Sequence, residues 1–508
     1  MHALFQSCAR PRPCTHGAQT TTGRAMLNRH LLAYLPVYAA QAVVGFGSVI
    51  VFTRLLTPDE YGRYMLLLAG AALIGTAVFT WLDAAVARHH ARCEARGRMP
   101  GHLFTAWRIY GVLALVSVLL AGAVIALIPM DPALRTACAF ALAYTVIRSG
   151  VTLAMETRRA ARQAGRFSAL ETFTLAAGFG LGVVFAHAGL GAAGPFAGMA
   201  LAGLIVLLIE APIHLSRARR DRADAPRAIA YFAYGGPVAF SLIFEHLLSV
   251  GDRFLIAAFM GEAAVGAYSA GYALADRSLS IIFLWLGMTT GPLLVAALEH
   301  EGREAARAVA RRTGALMGLL GFPAALGLIL VAEPAAHWLI GAEIAGEAAG
   351  IIPFIALSGL MNGIMTFYFH EAYVLGRRPR AMAAVMTAAA GLNLALNLVL
   401  IPLMGLTGAA LATVISYGAA LSVCVIHGRS VFPLPIPSGD WLRAGAAALV
   451  MGAAILALPD LGSAPADLFA RIAVGAIVYA IAALALDAAG CRSQLAAPIL
   501  LRLTGARA

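Results

Sequence analysis

The chain alternates between long apolar runs and short polar segments along almost its whole length. An α-helix needs about 20 apolar residues to cross the hydrocarbon core of a bilayer. The pattern therefore predicts an all-α, polytopic membrane protein with about 14 transmembrane helices. The predicted helices span residues 31–53, 62–86, 109–129, 133–155, 167–188, 192–214, 231–259, 264–295, 313–332, 349–374, 381–402, 407–427, 443–458 and 467–487.

Composition agrees with this pattern, since 61% of the residues are hydrophobic and only 12% are charged. A soluble domain has about 25% charged residues. The six cysteines have neither metal-ligand spacing nor a disulfide framework, so we expect no metal and no cofactor. Residues 1–28 lack the apolar core of a signal peptide, and they are predicted to form a disordered cytoplasmic tail in which Met26 is an alternative start.

Charge gives the predicted helices an orientation. The formal net charge is +12, and every Lys or Arg position is an arginine. Of the arginines in the loops, the tails and the ends of the predicted helices, 30 fall on one side of the membrane and 4 on the other (Arg54, Arg63, Arg135 and Arg471). By the positive-inside rule the arginine-rich side is cytoplasmic, and both termini lie there. Basic residues between apolar runs indicate topology rather than nucleic acid binding.

Two motifs recur along the chain. Residues 56–64 and 260–268 each place a hydrophobic residue six positions before a G-x-Y, at an offset of 204 residues, and residues 189–193 resemble residues 405–410. An even number of helices per repeat predicts two six-helix lobes related by a pseudo-twofold axis along the membrane normal, plus two extra C-terminal helices. The predicted divisions are 1–28 tail, 29–215 N-lobe, 216–228 cytoplasmic linker, 229–428 C-lobe, 429–490 last two helices and 491–508 cytoplasmic tail.

Several of these segments resemble a known family. Residues 54–64 (RLLTPDEYGRY), 251–256, 265–270 and 393–413 are similar to motifs of the polysaccharide transporter family, and the resemblance covers residues 30–428. These proteins are lipid-linked oligosaccharide flippases of the multidrug/oligosaccharidyl-lipid/polysaccharide exporter superfamily. The resemblance implies a location in the bacterial inner membrane.

Three arginines fall inside predicted helices: Arg148, Arg253 and Arg277. Because a charge at the bilayer centre costs several kcal/mol, each needs a cavity or a partner. A guanidinium binds phosphate oxygens bidentately, and the resemblance implies that cavity arginines hold a lipid-linked pyrophosphate. The alternative for each arginine is a structural ion pair.

Asp252 and Asp276 precede two of these arginines and lie at similar depth on neighbouring helices. Cross-pairing of the two Asp-Arg dipeptides between the helices would form a buried ion network, which is the structural alternative to substrate binding.

Other polar residues within predicted helices are candidates for coupling or sugar contact. The pairs Glu245–His246 and His370–Glu371 could relay protons in an antiporter, with H⁺ or Na⁺ as coupling ion, or could be hydrogen-bonded structural pairs. One face of the first helix carries three residues that could contact a sugar: Tyr34, Tyr38 and Gln41.

The favoured function is translocation of an undecaprenyl-pyrophosphate-linked oligosaccharide (an O-antigen, capsule or exopolysaccharide repeat) by alternating access. The alternative is a Na⁺/H⁺-coupled small-molecule efflux carrier of the same superfamily, although a cationic drug would favour carboxylates. A membrane enzyme is disfavoured because the predicted outer loops are short and, without lysine, no Walker motif exists. Expected partners are the lipid-linked oligosaccharide, bilayer lipid, and a polysaccharide polymerase or chain-length regulator; we expect a monomer and no nucleic acid.

Overall fold

The computed structural model describes the backbone of residues 19–496 and the side chains of residues 34 and 36–493. Over this part the chain is almost entirely helical and has no β-strand. The helices are α1 (Gln19–Leu55), α2 (Pro58–Val78), α3 (Thr80–Ala95), α4 (Met99–Leu127), α5 (Pro132–Ala160), α6 (Ala164–Phe185), α7 (Ala193–Leu215), α8 (Asp224–Met260), α9 (Glu262–His300), α10 (Arg303–Leu330), α11 (Ala332–Leu339), α12 (Ala342–Ile364), α13 (His370–Leu375), α14 (Pro379–Val431), α15 (Ser438–Leu456) and α16 (Ala464–Ala485).

Twelve of the described helices are long and apolar enough to cross a membrane, which confirms the multi-span prediction. The longest, α14, has 53 residues and would measure about 80 Å if straight, more than twice the core of a bilayer. It turns sharply at Gly405 (φ 61°) and so contains two consecutive predicted helices. The 37-residue α8 is not among the twelve, and the count of fourteen stays a prediction.

The predicted second helix, residues 62–86, is wrong in its second half. The chain bends at Phe79 (φ −114°, ψ −33°), and α3 continues from there to Ala95. Because neither glycine nor proline marks the bend, the apolar pattern gave no sign of it.

Residues 19–28, which fall within the predicted tail, form the first turns of α1, and the predicted division of the chain stays a prediction. These residues contain no proline, and a helix that already crosses the membrane is extended at little cost because nucleation is complete. Helix α8 likewise begins inside the predicted linker 216–228. Residues 1–18, and residues 497–508 of the predicted C-terminal tail, lie outside the described residues.

The sequence after α1 is well suited to start a helix. Thr57 accepts a hydrogen bond from the backbone N–H of Glu60, and the Glu60 carboxylate accepts one from the N–H of Thr57. Pro58 occupies the first helical position, where its missing N–H costs nothing. This capping box fixes where α2 begins on the arginine-poor side.

The two repeated glycine motifs adopt the same conformation. Gly191 has φ 50° and ψ −132°, and Gly405 has φ 61° and ψ −139°. Only glycine adopts such angles readily. Three residues later, Gly194 and Gly408 each pack against the backbone of the residue eight positions earlier. Both motifs therefore form the same tight reversal between antiparallel helices.

The other repeated motif brings α2 and α9 together. The Cβ position of Gly62 lies 3.2 Å from the backbone nitrogen of Gly266, and the Cβ position of Gly266 lies 3.2 Å from the nitrogen of Gly62. Each glycine also abuts the carbonyl oxygen four residues before the other, at Glu262 and Pro58. Such reciprocal contacts are those of residues beside a twofold axis.

The last two long helices pack against α10. The indole N–H of Trp441 donates a hydrogen bond of 2.8 Å to the carbonyl oxygen of Gly314. The hydroxyl of Tyr479 on α16 donates to the carbonyl oxygen of Leu319. Polar tips of aromatic side chains thus fasten α15 and α16 to α10.

Candidate substrate site

Arg277 reaches from α9 across to α1, where it donates a hydrogen bond to the carbonyl oxygen of Gly45. The half-buried guanidinium has no carboxylate within 4.0 Å among the described side chains. It lines a cavity of about 300 Å³ enclosed by α1, α2, α5, α6, α7 and α9. The polar part of the wall is formed by Gln41, Ser48, Tyr64, Tyr144, Arg148, Thr174 and Arg277.

Arg148 enters the same cavity from α5, but it is already paired. Its two terminal nitrogens lie 2.7 and 3.2 Å from the two carboxylate oxygens of Glu171 on α6. Arg148 therefore makes the ion pair with an acid on a neighbouring helix that the structural alternative describes, and its role in substrate binding stays a prediction. The pair leaves Arg277 as the uncompensated charge of the cavity wall.

Arg253 does not line the cavity. It is 8% exposed, and its Nη1 donates to the carbonyl oxygen of Ser249 at 2.8 Å and to Asp252 at 3.3 Å. Its Nε donates to Ser269 on α9 at 3.2 Å, and its guanidinium lies over the ring of Tyr272 at 4.8 Å. The protein therefore engages the Nε and Nη1 atoms of this guanidinium and one face of its plane.

The predicted cross-pairing of the two Asp-Arg dipeptides is wrong. Asp252 pairs with its own neighbour Arg253 and accepts a hydrogen bond from the hydroxyl of Tyr268. Asp276 has no ion pair within 4.0 Å in the part of the chain that the structure describes. Arg253 is held between Ser249 on α8 and Ser269 on α9 rather than by Asp276. Asp252 is bound by Tyr268 rather than by Arg277.

A second, mostly apolar groove of about 490 Å³ runs between α1 and α9. Tyr34, Tyr38 and Gln41 line it from α1, so the three predicted sugar-contact residues do share one face. The opposite wall carries exposed apolar side chains, of which Trp285 is 66% exposed. Gln41 and Arg277 belong to both the groove and the polar cavity, which therefore meet at these two residues.

A further polar pocket of about 390 Å³ adjoins the cavity and shares Tyr144 and Arg148 with it. It contains Asp83 and His246. His246 contacts the carbonyl oxygen of Leu242 at 3.2 Å, and no hydrogen bond joins it to Glu245 among the described side chains.

The other predicted relay pair, His370 and Glu371, follows a π-helical turn at Met365–Phe369. The Nε2 atom of His370 is buried without a hydrogen-bond partner in the described part of the chain. Glu371 lies against α9 near Gly291. Neither residue lines the cavity with Arg277.

On the arginine-poor side the two halves of the chain are fastened together. Arg63 on α2 pairs with Glu262 at the start of α9 and with Asp131, the latter at 3.1 Å. The backbone N–H of Gly341 donates to Thr53 at 2.9 Å. Together with the contact between α2 and α9, these bonds close the cavity toward the arginine-poor side.

The seam between α3 and α8 is also closed. The backbone at Gly235 packs directly against the carbonyl group of Trp81. Near the arginine-rich end, His102 and Tyr231 share a hydrogen bond across α4 and α8. The corresponding seam between α1 and α9 instead carries the apolar groove, which meets the cavity at Gln41 and Arg277.

Sequence reasoning missed the partner and the neighbours of the cavity arginines. Glu171 lies near the end of a predicted helix, a position typical of a solvated acid or of a partner of a loop arginine. Ser48, Tyr64 and Thr174 carry no charge and fit the ordinary polar content of a helix. Only the packing of six helices shows that they line one cavity.

Comparisons with known proteins agree with this architecture. A family model described as "Polysaccharide biosynthesis protein" matches residues 51–345, more than half of the chain. No curated protein sequence matches this chain. The lipid II flippase MurJ, in an inward closed conformation, has a similar structure, with a TM-score of 0.75 at 12% identity over 90% of this chain and 99% of that chain.

Two further solved structures are similar over most of their length. An inward-facing MATE family multidrug resistance transporter has a TM-score of 0.56 at 13% identity, covering 77% of this chain and 94% of that chain. A MOP superfamily transporter from Pyrococcus furiosus has a TM-score of 0.56 at 13% identity, covering 78% and 93%. At these identities the likeness concerns the fold.

The chain has many candidate membrane spans and shares the fold of transporters of the MOP (multidrug/oligosaccharidyl-lipid/polysaccharide) superfamily. The match to the family model is more specific, and the chain belongs to the polysaccharide biosynthesis protein family. The family predicted from the sequence motifs is thereby confirmed.

Proposed function

We propose that this transporter is a flippase that moves an undecaprenyl-pyrophosphate-linked oligosaccharide from the cytoplasmic to the outer leaflet. The arginine-rich side, with both termini, would be cytoplasmic, and the membrane would be the inner membrane of a bacterium. Because the cavity is closed toward the arginine-poor side, this conformation would be the one that loads substrate from the cytoplasmic leaflet.

The meeting of the polar cavity and the apolar groove at Arg277 carries the proposal. The proposed substrate has an anionic pyrophosphate between a polar glycan and an apolar chain. A guanidinium without a carboxylate partner suits the pyrophosphate, and it lies at the junction of a polar and an apolar space. The glycan would occupy the cavity, and the isoprenoid chain would leave through the groove toward lipid.

The proposed roles of the other residues depend on whether they line the cavity or the apolar groove. Arg148, neutralised by Glu171, would contribute hydrogen bonds rather than net charge. Gln41 would contact the head group, and the apolar setting of Tyr34 and Tyr38 favours contact with the first isoprene units or the first sugar. Arg253 is proposed to be structural, since it does not line the cavity and its Nε and Nη1 atoms are engaged by protein.

Energy would come from H⁺ or Na⁺ moving down its gradient. The pocket beside the cavity contains Asp83 and His246. Because this pocket adjoins the cavity, either residue could gain or lose a proton during transport. His370, Glu371, Glu245 and Asp252 line neither the cavity nor this pocket, which makes them weaker candidates for coupling to Arg277. Asp276 neighbours Arg277 on α9 but also lines neither space.

The second candidate function is efflux of a small molecule coupled to H⁺ or Na⁺. The likeness to MATE transporters supports it at the level of the fold. The unpaired positive charge of the cavity disfavours the cationic drugs that such carriers would bind by carboxylates. A polysaccharide polymerase or chain-length regulator is a proposed partner of the flippase, which we propose to act as a monomer.

The test is deletion of the gene and complementation with variants. Arg277→Ala should insert normally but abolish surface glycan and leave the lipid-linked glycan in the cytoplasmic leaflet. Arg135→Ala, which removes an exposed arginine from the arginine-poor side, is the matched control and should restore export. Full export by Arg277→Ala would refute the role of Arg277, and normal lipid-linked glycan distribution in the deletion strain would refute the flippase.

A further inference from the structure

Three arginines converge on a surface pocket that is separate from the central cavity. Arg311 and Arg312 extend from α10, and Arg443 extends from the first turns of α15. The pocket measures about 530 Å³ and is completed by the turn that follows α16. Small residues leave its floor open, among them Ala315 and Gly490.

None of the three guanidinium groups is neutralised within the part of the chain that the structure describes. All three side chains are exposed, and none has a carboxylate within 4.0 Å. Arg443 makes one long contact, 3.5 Å, to the carbonyl oxygen of Asp487. Other arginines of the arginine-rich side differ: Arg158 and Arg166 both bind Glu210, at 2.7 Å.

Two carboxylates also border the pocket, and one of them is committed elsewhere. Asp487 accepts hydrogen bonds from the backbone N–H groups of Ser493 at 3.1 Å and Arg492 at 2.9 Å. These bonds lower the pKa of Asp487 and hold its charge on the backbone amides. The other carboxylate, Asp440, lies in the first turn of α15. The pocket therefore carries a net positive charge, since three arginines face two carboxylates. One of these carboxylates, Asp487, is already hydrogen-bonded to backbone N–H groups.

The pocket lies where the helices that form it end, at the level of lipid head groups. Helix α15 begins at Ser438 and α16 ends at Ala485. Beside Arg443, the side chain of Leu442 is 75% exposed, and Leu486 is 40% exposed next to Asp487. The positive pocket thus lies beside exposed apolar side chains, a combination that suits an amphiphile with an anionic head.

We propose that this pocket binds the phosphate of an acidic membrane lipid from the leaflet on the arginine-rich side. Guanidinium forks match phosphate oxygens in geometry and charge, and arginines near the surface attract anionic lipids. A lipid phosphate bound here would link α10, α15 and the turn after α16. The proposal is independent of the transported substrate, because the pocket shares no residue with the cavity around Arg277.

The test uses the full-length protein in nanodiscs of neutral phosphatidylcholine with a varied fraction of phosphatidylglycerol, and measures retained phosphatidylglycerol by native mass spectrometry. The triple variant Arg311→Gln/Arg312→Gln/Arg443→Gln should retain it about a hundred-fold more weakly, at roughly five-fold per arginine. The matched control, Arg96→Gln/Arg98→Gln/Arg429→Gln, removes three exposed arginines of the same side and should retain it like the wild type.

A charge change in the opposite direction separates binding from misfolding. Asp440→Asn removes a negative charge from the pocket, so it should strengthen retention several-fold while the helices stay intact. Equal weakening in the triple variant and the control would overturn the proposal, as would no change in either. A second experiment uses inorganic phosphate in place of the lipid. If phosphate stabilises the wild type in neutral nanodiscs and phosphatidylglycerol does not, the site binds dissolved phosphate and the lipid assignment is wrong.

Discussion

Substitution of Gly62 by alanine should weaken the closure of the cavity on the arginine-poor side. A Cβ at this position would overlap the carbonyl oxygen of Glu262 on α9, which is backbone and cannot rotate away. Helices α2 and α9 would have to separate where they touch most closely. Overpacking of this kind costs about 1–3 kcal/mol, so the equilibrium should move away from the closed state by about 5- to 150-fold.

The same helices offer a graded series. A Cβ on Gly266 would lie 2.9 Å from the carbonyl oxygen of Pro58, a milder overlap than at Gly62. A Cβ on Gly70, further along α2, would meet nothing within 4 Å. Gly70→Ala should therefore leave closure unchanged and strengthen the helix by up to about 1 kcal/mol. The expected order of the effect on closure is Gly62→Ala, then Gly266→Ala, then Gly70→Ala.

Closure can be measured by labelling a cysteine placed in the cavity wall at Ser48, in a background without other cysteines. A membrane-impermeant maleimide added from the arginine-poor side should react slowly with the wild-type background and with Gly70→Ala. It should react faster with Gly266→Ala and fastest with Gly62→Ala. Equal labelling of Gly62→Ala and Gly70→Ala would refute the role assigned to the contact between α2 and α9.

Three further substitutions test other parts of the structure. Glu210→Gln should destabilise the protein by about 3–5 kcal/mol in thermal unfolding, because it leaves the buried Arg158 uncompensated; an unchanged melting temperature would contradict the ion cluster. Glu171→Gln should release the charge of the cavity pair and tighten pyrophosphate binding roughly ten-fold, measured by calorimetry, whereas weaker binding would show that the carboxylate orients the site. Asp221→Asn should reduce stability at neutral pH, because the hydrogen bond from Arg227 lowers the pKa of Asp221, and the difference from wild type should vanish as pH falls well below about 4; a difference that persists in acid would contradict the ion pair.

Much of the fold could be predicted from the sequence because lipid imposes a strong rule on helix length and composition. The runs of apolar residues indicated nearly every long helix, and repeated motifs identified Gly62 and Gly266 as equivalent positions. The bend at Phe79 could not be predicted, since no residue type marks it and tertiary packing decides where a long helix breaks. The start of α1 was misplaced because polar residues can extend a helix that lipid has already nucleated.

The candidate site was predicted only in part, for a geometric reason. Sequence spacing gives the depth of an arginine in the membrane, but not the direction in which its side chain extends. Arg253 and Arg277 have similar predicted depths, yet Arg253 folds back onto Ser249 while Arg277 reaches across to α1. Glu171 could not be paired with Arg148 in advance, because the partner depends on how α5 and α6 face each other.

Binding of the pyrophosphate by Arg277 is the centre of the proposed function, and direct affinity measurement tests it. Undecaprenyl pyrophosphate is titrated into purified wild-type protein, Arg277→Ala and Arg135→Ala in neutral nanodiscs. Loss of charged hydrogen bonds worth about 1.5–3 kcal/mol should weaken binding to Arg277→Ala by roughly 10- to 150-fold, with Arg135→Ala unchanged. Equal affinity of Arg277→Ala and the wild type would contradict the proposed role of the cavity.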